Sequence, residues 1–151
     1  MVLAMAVGLI GIFRGEASEI DPFSMIVIPD TQYDSDQPEV LNAMTDWIVA
    51  NRDTENIRFV SHVGDLVEWS PTGESLSQSR WANLREAMYR LDGQIPYSIL
   101  CGNHDYEFKN GETSGAAGDY LNSFGPAHFA GAGWYRGSSP DGLSSYQILN
   151  S

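Results

Sequence analysis

The chain has 151 residues, 42% hydrophobic and 19% charged, which suits one globular domain with its own core and excludes a disordered class. Twenty acidic residues against eight basic give a formal charge of −12, so nucleic acid and anionic lipid are not expected as partners. The same charge repels phosphate esters, and a protein of this kind that handles them needs local positive charge, for which bound divalent cations are the obvious source.

Residues 1–13 are apolar, with Gly8 and Gly11 inside the run and Arg14 and Glu16 closing it. That length is too short to span a bilayer and suits the core of a signal peptide, with Gly15-Glu16-Ala17 as a small-x-small cleavage signal. No Lys or Arg precedes the run, so a misassigned start and a cytoplasmic protein form the competing reading. The expectation is a signal segment over 1–20, a secreted or periplasmic protein, and a domain over 21–151.

Residues 23–29 read as a first core strand, ended by Pro29. Pro38 then sits as a first helical residue, and Val40, Leu41, Met44, Trp47, Ile48 and Val49 recur at helical spacing through Asn51. A second strand is expected over 57–63, and a loop runs from Glu68 to Ser79. Trp81, Leu84, Ala87, Met88 and Leu91 mark a second helix, stopped at Asp92-Gly93, and a third strand spans 96–101. Two strand–helix–strand units in a row predict a parallel sheet with right-handed crossovers, which places both helices on one face. The remainder reads as a glycine-rich loop over 111–118, a short helix over 119–124, a Gly, Pro and aromatic stretch over 125–142, and an edge strand over 143–149.

Each of the three strands runs into oxygen-bearing residues: Asp30-Thr31-Gln32, Gly64-Asp65 and Gly102-Asn103-His104-Asp105. In an open α/β sheet this carboxyl edge is where ligands sit. Asp30 alone reads as a turn or helix-capping aspartate. Beside Asp65 it becomes a candidate metal ligand, because two carboxylates at neighbouring strand tips repel unless a cation lies between them. Gln32 is a candidate ligand through its amide oxygen, or a hydrogen-bond partner to one. His104 with Asp105 is an acid–base pair or, more plainly, a helix-capping pair. His62 inside the second strand reads as a satisfied core histidine, and Cys101, the single cysteine, as a small buried hydrophobe. His128 reads as a surface-loop residue or a pocket rim. Trp69 reads as packing, or as a wall of the substrate mouth.

Taken together, these three motifs resemble the calcineurin-like metallophosphoesterases, in the branch carrying Asp-Thr-Gln where most members have Asp-x-His. The resemblance implies an α/β–β/α sandwich, of which this chain would hold the first βαβαβ sheet half, a following loop and an edge strand. It implies two divalent metal ions, drawn from Fe, Mn, Zn or Mg. Asp30 would ligate the first, Asp65 would bridge both, Asn103 would ligate the second, and Gln32 would stand at a further ligand position. His104 would assist the leaving group and Asp105 would orient it, while a metal-activated hydroxide attacks the phosphorus of a mono- or diester substrate. The family also has a lone His and a Gly-His-x-His motif, and none of the three histidines here fits them. The expectation is therefore the N-terminal portion of a longer phosphoesterase domain, inactive alone. The alternative is a secreted, non-catalytic binding or scaffold domain that keeps the fold with an incomplete metal site. A nucleotide-binding fold is disfavoured, since no Gly-x-Gly-x-x-Gly or phosphate loop follows any strand.

Overall fold

The computed structural model describes residues 22–69, 74–109, 112–113 and 115–149. The apolar segment expected to be a signal peptide lies outside them. The fold is of the α/β class, centred on a three-stranded parallel sheet in the order β1 (Ser24–Ile28), β2 (Ile57–His62), β3 (Tyr97–Ile99). Val27 pairs with Ser61, and Ser61 with Ser98, so the three strands stay in step up to their carboxyl ends.

Helices α1 (Pro38–Ala50) and α2 (Glu74–Met88) supply the crossovers and pack against each other. Pro38 starts α1, where a missing amide proton removes nothing from the hydrogen-bond ladder. Leu41 and Ile48 on α1 and Leu84, Ala87 and Met88 on α2 meet Ile28, Val60 and Tyr97 in one core, all of them nearly inaccessible. The helix α2 starts at Glu74, five residues before the expected loop ends. Its first turns, Glu-Ser-Leu-Ser-Gln-Ser, carry no apolar period. Tertiary ties replace it: Gln78 donates to Asp119, and Arg80 makes a paired contact to Asp36.

The second half of the chain is more structured than expected. A small antiparallel pair, β4 (Phe108–Lys109) and β5 (Glu112–Thr113), occupies part of the glycine-rich stretch. Helix α3 (Gly118–Phe124) follows, and its Tyr120 hydroxyl donates to the Ile99 carbonyl at the end of β3. A short α4 (Pro126–Phe129) and a hairpin of β6 (Tyr135–Ser138) with β7 (Ser145–Gln147) complete the described chain. The last strand is thus the partner of β6 in a separate two-stranded sheet, not an edge of the main one. His128 corrects the surface-loop reading, since it belongs to α4 and lines a cavity with Asp92 and Trp134. It stacks on Tyr89 with centroids 4.4 Å apart, and its Nε2 lies 2.7 Å from the Tyr97 hydroxyl. That hydroxyl in turn donates to Asp92 at 2.7 Å, at the opposite end of β3 from His104. Among the described residues no helix is long and apolar enough to cross a membrane.

Both crossover helices cover one face of the sheet, and among the described residues the other face is open. Met25 and Val27 on β1, Val63 just past β2 and Leu100 just past β3 are 56%, 58%, 43% and 48% exposed. The register puts Phe59 and Ser61 between them. Side chains alternate across a strand, so one position separates the two environments. Val27→Lys is expected to leave the melting temperature nearly unchanged and to raise the monomeric fraction in light scattering. Ile28→Lys, one residue on, is expected to cost about 4 kcal/mol or more by burying an unpaired charge. Equal destabilisation by the two substitutions would show that both faces are covered.

Candidate functional site

The carboxyl ends of the three parallel strands deliver every residue expected in the site to one edge. After β1, Pro29 and Asp30 lead through Thr31 into a single 3-10 turn over Gln32–Asp34. After β2 the chain turns through Gly64, at φ +103°, and Asp65, at φ +50°. A non-glycine residue in that left-handed region is uncommon and is held there by its surroundings. After β3, Gly102 precedes a second 3-10 turn, Asn103–Asp105.

The second and third loops touch through their backbones. A Cβ on Gly64 would lie 2.8 Å from the Gly102 nitrogen, and one on Gly102 would lie 2.2 Å from both the nitrogen and Oδ1 of Asp65. Only glycine fits at either position, which accounts for both motif glycines by close approach.

Two carboxylates then tie the loops together. Asp65 Oδ1 accepts from the His104 amide at 2.9 Å, while the Asp65 carbonyl accepts from the Thr31 amide at 3.1 Å. Asp65 therefore touches the loops on both sides of its own. Asp105 Oδ2 accepts from the Gly102 amide and its Oδ1 from the Leu66 amide, both at 2.7 Å. Burial pushes the Asp105 carboxyl up to about 6, against the downward pull of those amides, and the Asp65 charge adds to the rise.

This arrangement corrects the role given to Asp105. Its oxygens are committed to backbone amides, and the carboxylate that faces the His104 imidazole belongs to Glu68, with Oε2 3.3 Å from Nδ1. Both atoms are buried, and the pair falls short of hydrogen-bond alignment. Trp69 stacks on the same ring, with centroids 4.3 Å apart and planes 17° from parallel, and its indole donates to the Tyr106 carbonyl. Arg80 holds this loop in place. It donates to the carbonyls of Glu68 and Trp69 and grips Asp36 at 2.7 and 2.6 Å. Sequence reasoning missed Glu68 and Arg80. The usable signal was Glu68 three residues past Asp65, on the same loop.

Asp30 and Asn103 are exposed, Asp65 and His104 half-buried, and Gln32 buried, with its Oε1 lacking a hydrogen-bond partner among the described residues. No three His, Cys, Asp or Glu side chains gather as a metal-holding group among the described residues. The oxygen donors brought to this edge are thus two carboxylates, Asp30 and Asp65, with the amides of Gln32 and Asn103. Cys101 is unsuited to act as a thiolate, since burial, with Asp105 and Asp65 behind it, pushes its thiol up to about 12.

His62 lies wholly inside, and burial pushes its imidazole down from 6.5 to about 4, with Asp65 pulling weakly the other way. Above pH 6.5 the ring is neutral both folded and unfolded. Below it the unfolded chain binds a proton that the folded one refuses, so this group withdraws about 3 kcal/mol of stability as pH falls toward 4. Asp105 acts in the opposite sense from about 6 downward, because the folded carboxyl takes its proton first. The net stability curve is therefore expected to be shallow, and NMR separates the two groups. The His62 ring resonances are expected to titrate near pH 4; a midpoint above pH 6 would contradict the burial.

The chain is 33% identical over 133 residues to the uncharacterized protein YvnB of Bacillus subtilis (strain 168). The match takes in 87% of this chain but only 10% of that protein, so the chain spans about a tenth of its relative's length. No family model matches the sequence. No solved structure matches it either.

Proposed function

We propose that this domain belongs to a metal-dependent hydrolase of phosphate mono- or diesters. The observation that carries the reading is the alignment of Asp30 and Gln32, Asp65, and Asn103 and His104 on three cross-tied loops at one sheet edge. The donor set fits a hard divalent cation. Carboxylate and amide oxygens are what Mg and Mn accept, and the buried, unpartnered Gln32 Oε1 is a polar atom that such an ion would satisfy. Asp30, Asp65, Gln32 and Asn103 would hold the metal, which when bound supplies charge neutralisation and activation of water.

The chain's own residues do the rest. Asp65 fixes the His104 main chain, so a ligand position and a proton-donor position cannot move independently. Glu68 faces Nδ1 at 3.3 Å, leaving Nε2 to deliver a proton to the departing oxygen. Trp69 covers one face of the ring and restricts its rotation. Tyr33, 77% exposed beside Gln32, would meet a substrate's outer portion.

A donor set made only of carboxylate and amide oxygens also suits a second reading, a binding domain of the same fold without catalysis. One experiment separates the two. In the full-length protein with Mn2+, hydrolysis of bis(p-nitrophenyl) phosphate is expected to need Asp65. Asp65→Asn keeps an oxygen for the His104 amide, so it preserves the melting temperature while metal occupancy and turnover fall by about a hundredfold. Glu68→Gln is expected to lower kcat about tenfold or more with little change in metal content. Metal-independent binding of phosphate esters without turnover would establish the binding-domain reading instead.

A further inference from the structure

His62 occupies a strand position where an aliphatic side chain would pack at lower cost, flanked in the sheet by Ile28 and Ile99. Its ring is 0% exposed, and both nitrogens have partners. The Gly64 amide must donate to Nδ1 at 3.2 Å, so the ring proton sits on Nε2. Nε2 then donates to Thr31 Oγ1 at 3.0 Å, which frees the Thr31 hydroxyl proton for the Leu66 carbonyl at 3.1 Å. Every donor and acceptor in this chain of bonds has one assignment. It begins and ends in the loop after β2 and passes through the loop after β1.

We infer that His62 is a positioning residue that holds these two loops in register, so that Asp30 and Gln32 present to the same point as Asp65. Thr31 is the residue between Asp30 and Gln32, and Gly64 directly precedes Asp65 at its left-handed turn. An aliphatic residue at position 62 would fill the space and leave the Gly64 amide and the Thr31 hydroxyl without these partners. The inference concerns loop geometry, and its catalytic consequence rests on the phosphoesterase reading above.

The two arms can be cut separately. The Asn side-chain oxygen takes the place of Nδ1 and the Gln amide nitrogen that of Nε2, so His62→Asn keeps the Gly64 arm and His62→Gln keeps the Thr31 arm. Amide hydrogen exchange of the full-length protein reads the result without any substrate. In His62→Gln the Gly64 amide is expected to exchange at least about tenfold faster, and in His62→Asn the Thr31 amide, with Val60 in the core unchanged in both. Mn2+-dependent hydrolysis of bis(p-nitrophenyl) phosphate is expected to lose kcat about tenfold in either variant at nearly constant KM. Unchanged loop exchange, or faster exchange of Val60 and the loops alike, would reduce His62 to a packing residue and overturn the inference. A wild-type protein that hydrolyses nothing would remove the phosphoesterase reading, and the exchange pattern would still decide the role of His62.

Discussion

The structure depends on carboxylates that accept hydrogen bonds from the backbone amides of neighbouring loops. The Asp65 carboxylate takes the His104 amide, and the Asp105 carboxylate takes those of Leu66 and Gly102. A parallel sheet ends in loops whose amides have no ladder to join, and in a buried setting each unpaired group is costly. Charged acceptors are strong partners for such donors and fix direction as well as distance. The sheet ends at residues 28, 62 and 99, and these bonds carry its order outward into segments without regular structure.

Charge at this edge is divided by environment. Asp105 is buried and serves the fold; its carboxyl is pushed up toward neutrality by the same burial that makes it a good brace. Asp30 is exposed and Asp65 half-buried, and both stay within reach of solvent and solutes. The histidines divide similarly. His62 is sealed in and neutral, whereas His104 sits half-buried between an indole and a carboxylate. Residues of one chemical type thus act as scaffold at one position and as candidate reactive groups at another.

Much of this was legible in the sequence, for identifiable reasons. The three core strands and α1 are written in apolar runs and helical spacing, and Pro29, Gly64 and Gly102 mark where the strands stop. The placement of the six site residues on one edge follows from strand order and the handedness of crossovers. The first turns of α2 were illegible because Ser75, Ser77 and Ser79 carry no apolar period, and contacts from Arg80 and Gln78 replace it. The β6–β7 hairpin was hidden by the glycines around it. The choice between Asp105 and Glu68 as partner of His104 could not be read from adjacency. In a 3-10 turn the neighbouring carboxylate swings back to its own backbone, and the partner comes from a loop 36 residues earlier.

The contact between Gly64 and Gly102 also bears on how such a site can change over time. A methyl group at either position would collide with the main chain of the other loop, which cannot step aside as a side chain could. Single-residue drift is therefore closed along the floor of the site, and a viable departure there requires coordinated remodelling of two loops far apart in the sequence. Variation is steered outward to exposed residues such as Tyr33, which project from the floor without supporting it. A lineage built on this edge would diversify in what it admits long before it changed how the edge is held.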